Sequence, residues 1–250
     1  MSDAPPAALW RSLVDSASAP YRQSGRFAWH FARGKLRWDP VFPHLLAHGL
    51  IAPRARVLDI GCGQGLLASL LAAAGRVARQ GRWPSHWAEP PIDVRVSGIE
   101  LQARDVARAR DALGDAADVV CADMRSAAFA EVDTVVILDV LHYVSVAEQD
   151  AVLARVRAAL PPGGRLVLRV GDAAARHRFA VSHWIDRLVV FVRGHGLAPL
   201  AGRTLAAWRA RLEALGFAVA SEPMHAGTPF ANVLLVGTVR RSPTRATPIA

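Results

Sequence analysis

One junction limits what this chain can fold into. Residues 57–65 read VLDIGCGQG: an apolar run, then glycines at 61, 63 and 65, followed by a helix-like stretch from Leu66 to Ala74. Glycine permits positive φ and close approach of backbone to a ligand. The helix that follows offers unpaired N–H groups and a positive dipole end. Such a strand–turn–helix suits a dinucleotide phosphate, and equally a nucleoside with a carboxylate tail. Spacing separates the two. A dinucleotide fingerprint, G-x-G-x-x-G, wants a third glycine where Leu66 stands. Asp59, inside the strand end, is also foreign to it. A nicotinamide-dependent oxidoreductase is therefore disfavoured.

The chain around this junction alternates short apolar runs with amphipathic ones. Strands are expected at 55–60, 94–100, 117–123, 133–139 and 165–170, with helices at 103–113 and 146–160 between them. Pro161-Pro162-Gly163-Gly164 stops the last helix. Two further strands, 217–221 and 232–239, stand close enough to pair antiparallel. Right-handed crossovers make this an α/β, doubly wound, mostly parallel sheet that binds ligands at the carboxyl ends of its strands. Residues 1–53 read as an N-terminal helical cap, 54–239 as the binding domain and 240–250 as a flexible tail.

Four successive strand ends carry an acid: Asp59, Glu100, Asp123 and Asp139. Each alone would also fit a helix N-cap; four at one face point to a site. Glu100 is placed to accept from both hydroxyls of a ribose, and Asp123 with the Met124 backbone to read an adenine edge. Asp139 lies at the crevice floor.

VLDIGCGQG (57–65), GIE (98–100), CADM (121–124), ILDVLHY (137–143) and LPPGGRLVLR (160–169) together resemble a class I S-adenosylmethionine-dependent methyltransferase. The resemblance covers residues 54–171 and, more loosely, the final strand pair. It implies seven strands with the last antiparallel, and S-adenosyl-L-methionine as cofactor. It implies that Asp59, Gly61, Gly63 and the Cys62 backbone surround the methionine part, Glu100 and Leu101 the ribose side, and Asp123 with Met124 the adenine, with Asp139 completing the pocket. The chain departs from the family pattern once. From Asp59 to Glu100 is 41 positions, roughly twice what the standard unit needs. The surplus is residues 76–94. Its prolines at 84, 90 and 91 and its Trp83 and Trp87 favour a segment packed on the domain or a partner chain over a catalytic lid.

The acceptor is less constrained. After the fourth strand the chain reads Asp139-Val-Leu-His-Tyr143, without the Asn/Asp-Pro-Pro-aromatic run usual in amide or exocyclic-amine methyltransferases. Cys62 and Cys121 both sit outside the Pro-Cys context that a cytosine-C5 enzyme needs. The Leu-His-aromatic sequence resembles the small-molecule branch, which methylates oxygen or activated carbon. His142, with an ordinary pKa of about 6.5, suits a general base; it equally suits a wall of the cofactor pocket. Tyr143 would orient the acceptor or pack on the next helix. Tryptophans at 10, 29, 38, 83, 87 and 184 lie outside the expected strands, where indoles line an aromatic or apolar pocket or simply pack amphipathic helices. The basic Arg26, His30, Arg33 and Lys35 of the cap are candidates for the cofactor carboxylate. The apolar stripe from Val181 to Val192 is a core face, or a surface resting on a membrane or an acyl carrier. Residues 27–42 resemble methyltransferases of bacterial aryl-polyene pigment pathways.

Charge and composition bound the partners. The net charge is +9 and the pI about 11.1, which keeps an RNA or protein methyltransferase as an alternative. Yet Lys35 is the sole lysine and the arginines are spread along the chain without a basic run. No nucleic acid is expected. A cofactor-binding module without turnover is the non-enzyme alternative. Two cysteines make neither a disulfide framework nor a zinc site. A cytoplasmic, metal-free enzyme with a small, lipid-like or carrier-bound acceptor is the expectation, and a homo-oligomer is compatible with it.

Overall fold

The computed structural model describes residues 5–171, 201–224 and 232–241. Three N-terminal helices, α1 (Ala7–Ser18), α2 (Arg26–Trp38) and α3 (Val41–Ala47), precede the alternating region. That region runs β1 (Arg56–Ile60), α4 (Leu66–Arg79), β2 (Arg95–Glu100), α5 (Ala103–Leu113), β3 (Ala117–Cys121), β4 (Thr134–Leu138), α6 (Val146–Ala159) and β5 (Arg165–Gly171). Then come α7 (Leu205–Ala214), β6 (Phe217–Pro223) and β7 (Asn232–Val239). The seven strands form one sheet in the order β3-β2-β1-β4-β5-β7-β6. All neighbouring pairs are parallel up to β5, and β7 is antiparallel to both β5 and β6. This is the α/β architecture expected from the sequence. The direction of the crossovers reverses between β1 and β4, and a crevice opens at the carboxyl ends there.

Period-two alternation divides the strands between two apolar layers. On β5, Leu166, Leu168 and Val170 join α6 and α7 through Val152, Val156, Trp208 and Leu212. Val167 points the other way, into a cluster with Leu36, Phe42, Leu46 and Leu70 of α2, α3 and α4. The N-terminal helices therefore share the core of one sheet face. Arg165 Nη1 donates to the Gly49 carbonyl (2.8 Å), and His44 Nε2 meets Glu222 Oε2 at 3.1 Å, fixing α3 across β5 and β6. On the opposite layer α6 starts at a capping box between Ser145 and Glu148.

Several boundaries differ from the sequence reading. Helix α4 continues to Arg79 because its apolar face is buried through Val77. Residues 76–79 are thus helix, and the extra material is a loop over 80–94. Trp87 is buried and meets Trp83 edge-on, 5.2 Å between ring centroids. Trp83 Nε1 donates to the Ala88 carbonyl (2.8 Å), and Ala88 N donates to Ala47 (2.9 Å). The loop lies against the end of α3. Strand β3 stops at Cys121, so Asp123 follows the strand instead of ending it. Strand β6 extends to Pro223. The stripe at 181–192, with Trp184, and the tail beyond Arg241 lie outside the described residues. Among the described residues, no helix is long and apolar enough to cross a membrane and no cluster of three metal-ligating side chains occurs.

Candidate functional site

The loop between β1 and α4 takes its shape from three positive φ angles, +74° at Gly61, +56° at Gly63 and +77° at Gly65. A side chain at Gly61 would drive into Val140, and one at Gly65 would meet Leu113 Cδ1 at 2.5 Å. A Cβ on Gly63 would meet nothing within 4 Å. The first and third glycines are therefore needed for packing. The second opens the loop towards the crevice.

Neighbouring strands hold this loop. Gly61 N and Cys62 N both donate to the Ile99 carbonyl (2.8 and 3.2 Å). Glu100, half-buried at the end of β2, accepts from Gly63 N through Oε2 (3.0 Å) and from Gln102 N through Oε1 (2.8 Å). Its remaining lone pairs are directed by those two bonds. Leu101 beside it is exposed. Gly98 has to be glycine for Cys62, because a Cβ there would come within 2.7 Å of the Cys62 sulfur. The Cys62 thiol is pushed up by burial, with Asp59 and Glu100 adding to the effect.

Asp59 is buried at the end of β1. Its carboxyl is raised to about 7, first by burial and then by the negative charge of Glu100. A buried acid in that condition is suited to a ligand that brings positive charge.

The other two acids are already engaged. Asp123 accepts from Arg125 Nε and Nη2 and from Arg125 N. The hydrogen bond from that guanidinium is the main cause holding its carboxyl below the ordinary value. Met124 packs against the lower apolar layer, and its carbonyl accepts from Arg155 Nη2 (2.9 Å). Asp139 adopts φ +59° and binds the guanidinium of Arg169, with Nε to Oδ1 at 2.8 Å and a second bond from Nη2. The turn after it carries His142 and Tyr143, with rings 4.2 Å apart. Tyr143 is exposed and Leu141 beneath it is buried.

Sequence reasoning misses the anchoring of this site to the N-terminal helices. Tyr21, fully buried, donates its hydroxyl to the Gln64 carbonyl (2.8 Å), and burial pushes its phenol up. Gln64 Nε2 donates to the Ala28 carbonyl of α2 (3.0 Å). Ser69 Oγ donates to the Ala17 carbonyl of α1 (2.7 Å). At its other end α2 places Lys35 Nζ 2.8 Å from Asp39 and 3.8 Å from Asp139. Of the cap's basic residues, Lys35 is the one brought to the crevice floor. Arg169 is 2% exposed and also binds both oxygens of Asp39. Burial would raise the Asp39 carboxyl. The hydrogen bonds and charge of Arg169 outweigh it and hold Asp39 well below the carboxylate range. Helix α2 thus lies from the glycine loop to the ends of β4 and β5.

These residues fit S-adenosylmethionine. An open, glycine-lined loop begins a helix, a carboxylate ends the adjacent strand, and a buried acid of raised pKa stands beside them. A family model for the methyltransferase domain matches residues 28–222. The carboxy-S-adenosyl-L-methionine synthase of Chromohalobacter salexigens is 35% identical over 130 residues, 48% of this chain and 43% of that protein. The chain thus spans under half the length of this curated relative. The structure resembles a magnesium protoporphyrin IX methyltransferase from Synechocystis, solved with bound S-adenosylhomocysteine (TM-score 0.56, 18% identity, 93% of this chain and 98% of that one). It also resembles an O-methyltransferase family protein from Burkholderia thailandensis (TM-score 0.59, 17% identity, 88% of this chain and 61% of that one). The fold, the glycine loop and the family match place this chain in the methyltransferase-domain family.

Proposed function

We propose that the chain moves a methyl group to an oxygen or activated carbon of a small apolar acceptor, aromatic or lipid-like. The observation that carries this is the character of α2 at the crevice. Lys35 reaches Asp139 at the floor. Its neighbours one turn away on the helix surface, at i−4 and i+3, are Phe31 and Trp38. Phe27 stacks on Phe31 at 6.2 Å, and Phe27 and Trp38 are 64% and 73% exposed. Leu101, which follows β2, and Tyr143 and Val146, which follow β4, are exposed as well. A surface of this kind favours an apolar ligand.

The cofactor supplies an electrophilic methyl carbon on a positively charged sulfur. In this reading Asp59, Gly61, Cys62 and Gly63 receive its methionine part, Glu100 and Leu101 its ribose side, and Asp123 with Met124 its adenine. Asp139 borders the pocket floor. His142 takes the proton from the acceptor hydroxyl, or lines the pocket while position alone drives transfer. Tyr143 orients the acceptor. The enzyme acts without a metal, in a cytoplasmic setting.

The test is a methyl-transfer assay with labelled cofactor against phenols, hydroquinones, isoprenoid quinones, a bulk transfer-RNA fraction and peptides. Transfer to a phenol or quinone, with competition by apolar isosteres, is expected. Transfer to RNA or peptide alone would overturn the reading. The resemblance to the carboxy-S-adenosyl-L-methionine synthase supports a second reading, in which the chain remodels the cofactor itself. Mass spectrometry of the cofactor after turnover would reveal this.

A further inference from the structure

A buried arginine in a central strand carries a large desolvation cost unless every donor is used. Arg169 stands on β5 beside β4, in register with Leu138. Its guanidinium gives two bonds to Asp39 and two to Asp139. Its carbonyl accepts from Asp139 N at 3.3 Å. One residue therefore grips both the side chain and the backbone of Asp139, whose φ of +59° is a left-handed conformation that side chains rarely adopt.

The path of the chain beyond Asp139 depends on that conformation. Val140 presses on Gly61, and Leu141–Tyr143 form a single 3-10 turn. From the far side, fully buried Gln149 donates through Nε2 to the carbonyls of Leu141 (3.1 Å) and Val144 (3.2 Å). The turn is thus held between Gln149 and the Asp139–Arg169 pair.

Asp39, the other partner of Arg169, is the joint between two helices. Its N–H donates to the Lys35 carbonyl at the end of α2, and its Oδ1 accepts from Val41 N at the start of α3 (3.1 Å). The four charged groups Lys35, Asp39, Asp139 and Arg169 sum to zero.

We propose that Arg169 is a positioning residue: through Asp39 and Asp139 it ties the His142–Tyr143 turn to the α2–α3 joint, so that the turn keeps its place against the Gly61 loop. Helix α2 and the turn then move as one body, and a change at the N-terminal joint is felt at the turn. The relevance of the turn to methyl transfer rests on the function proposed above. The device itself does not.

The test uses the whole protein and S-adenosylhomocysteine as the probe. Replacing Arg169 by an apolar residue would strand two acids and risk unfolding, so the joint is perturbed by Asp39→Asn. That change keeps the shape and the acceptor for Val41 N but removes the charge. Asp139→Gly, which keeps φ +59° without strain, removes the clamp from the other side. Glu222→Gln removes the charge that faces His44 at the other end of the same region and is the control. Hydrogen exchange at residues 140–144 is expected to quicken about tenfold in Asp39→Asn and Asp139→Gly, with β1 unchanged. Glu222→Gln should leave the turn as it is. S-adenosylhomocysteine affinity should fall about fivefold or more in the first two variants. Unchanged exchange at 140–144 in Asp39→Asn, or equal loosening in Glu222→Gln, overturns the proposal. Quickened exchange with unchanged affinity supports the positioning role but removes the turn from the site reading.

Discussion

Binding of the cofactor should release a proton from Asp59. In the free enzyme burial and the Glu100 charge hold this carboxyl at about 7, against 3.8 ordinarily. The homocysteine part of S-adenosylhomocysteine brings an ammonium group. If that cation lies beside Asp59, the ionised acid is favoured and its pKa falls back toward its ordinary value in the complex. Linkage sets the sign. Ligand then binds the ionised form, so affinity rises as pH rises and levels off above about 7. Below 7 the ionised fraction falls about tenfold per pH unit, so binding at pH 6 should be about tenfold weaker than at pH 8. Stability of the free protein moves the opposite way. A raised carboxylate pKa means the folded state binds more protons than the unfolded one between about 4 and 7, so stability falls as pH rises through that window. Titration calorimetry in buffers of differing ionisation enthalpy reads both affinity and proton count. Release of about half a proton at pH 7 is expected. Asp59→Asn should abolish both the release and the slope below pH 7. A flat affinity from pH 5.5 to 8.5, or a slope that persists in Asp59→Asn, refutes the reasoning.

Three further perturbations probe the site and its supports. Glu100→Ala should weaken S-adenosylhomocysteine binding by about 1–3 kcal/mol, and calorimetry that finds the parent affinity would remove Glu100 from the ribose side. Glu100→Gln, which retains one acceptor oxygen, should lose less. His142→Ala should cut turnover by roughly 10²–10⁴-fold with little effect on cofactor affinity if it is the base, and the parent's rate should rise with pH through about 6–7; a variant that keeps most of its rate leaves positioning as the main device. Replacing Trp83 and Trp87 together by alanine should cost at least about 3 kcal/mol in chemical denaturation, since a buried tryptophan is lost, while turnover per folded molecule is kept. A folded, stable variant with poor acceptor use would make the loop a lid.

The sheet is legible because its strands are short β-branched runs closed by acids or glycine. That rule places Asp59 and Glu100 at neighbouring strand ends, and the Glu100 carboxylate accepts from Gly63 of the glycine loop. Asp123 and Asp139 obey the same rule, but a sequence does not show that Arg125 and Arg169 bind them. Arg169 leaves one trace, a charged residue in the run LVLRV (166–170), which is otherwise apolar on both faces. Its partner Asp39 lies 130 positions away, and no local periodicity joins them. The N-terminal helices read as a cap because amphipathic spacing tells which residues are apolar, not which surface they meet. Their alanines 28 and 32 and Leu36 are fully buried against the domain. The surplus between β1 and β2 can be counted from the sequence, but four of its residues extend α4 instead of the loop.

Strand β7 lies between β5 and β6, although it comes after both in the chain. During synthesis β6 therefore waits for a partner, and β5 keeps an open edge, until residues 232–239 leave the ribosome. The glycine loop and its flanking strands are complete long before then. A nascent chain would hold a formed cofactor cradle beside an unpaired, apolar strand edge, the kind of edge that recruits other chains. Chaperone dependence during production should therefore concentrate in the interval before residues 232–239 emerge, and a cofactor analogue in the medium would do little to relieve it.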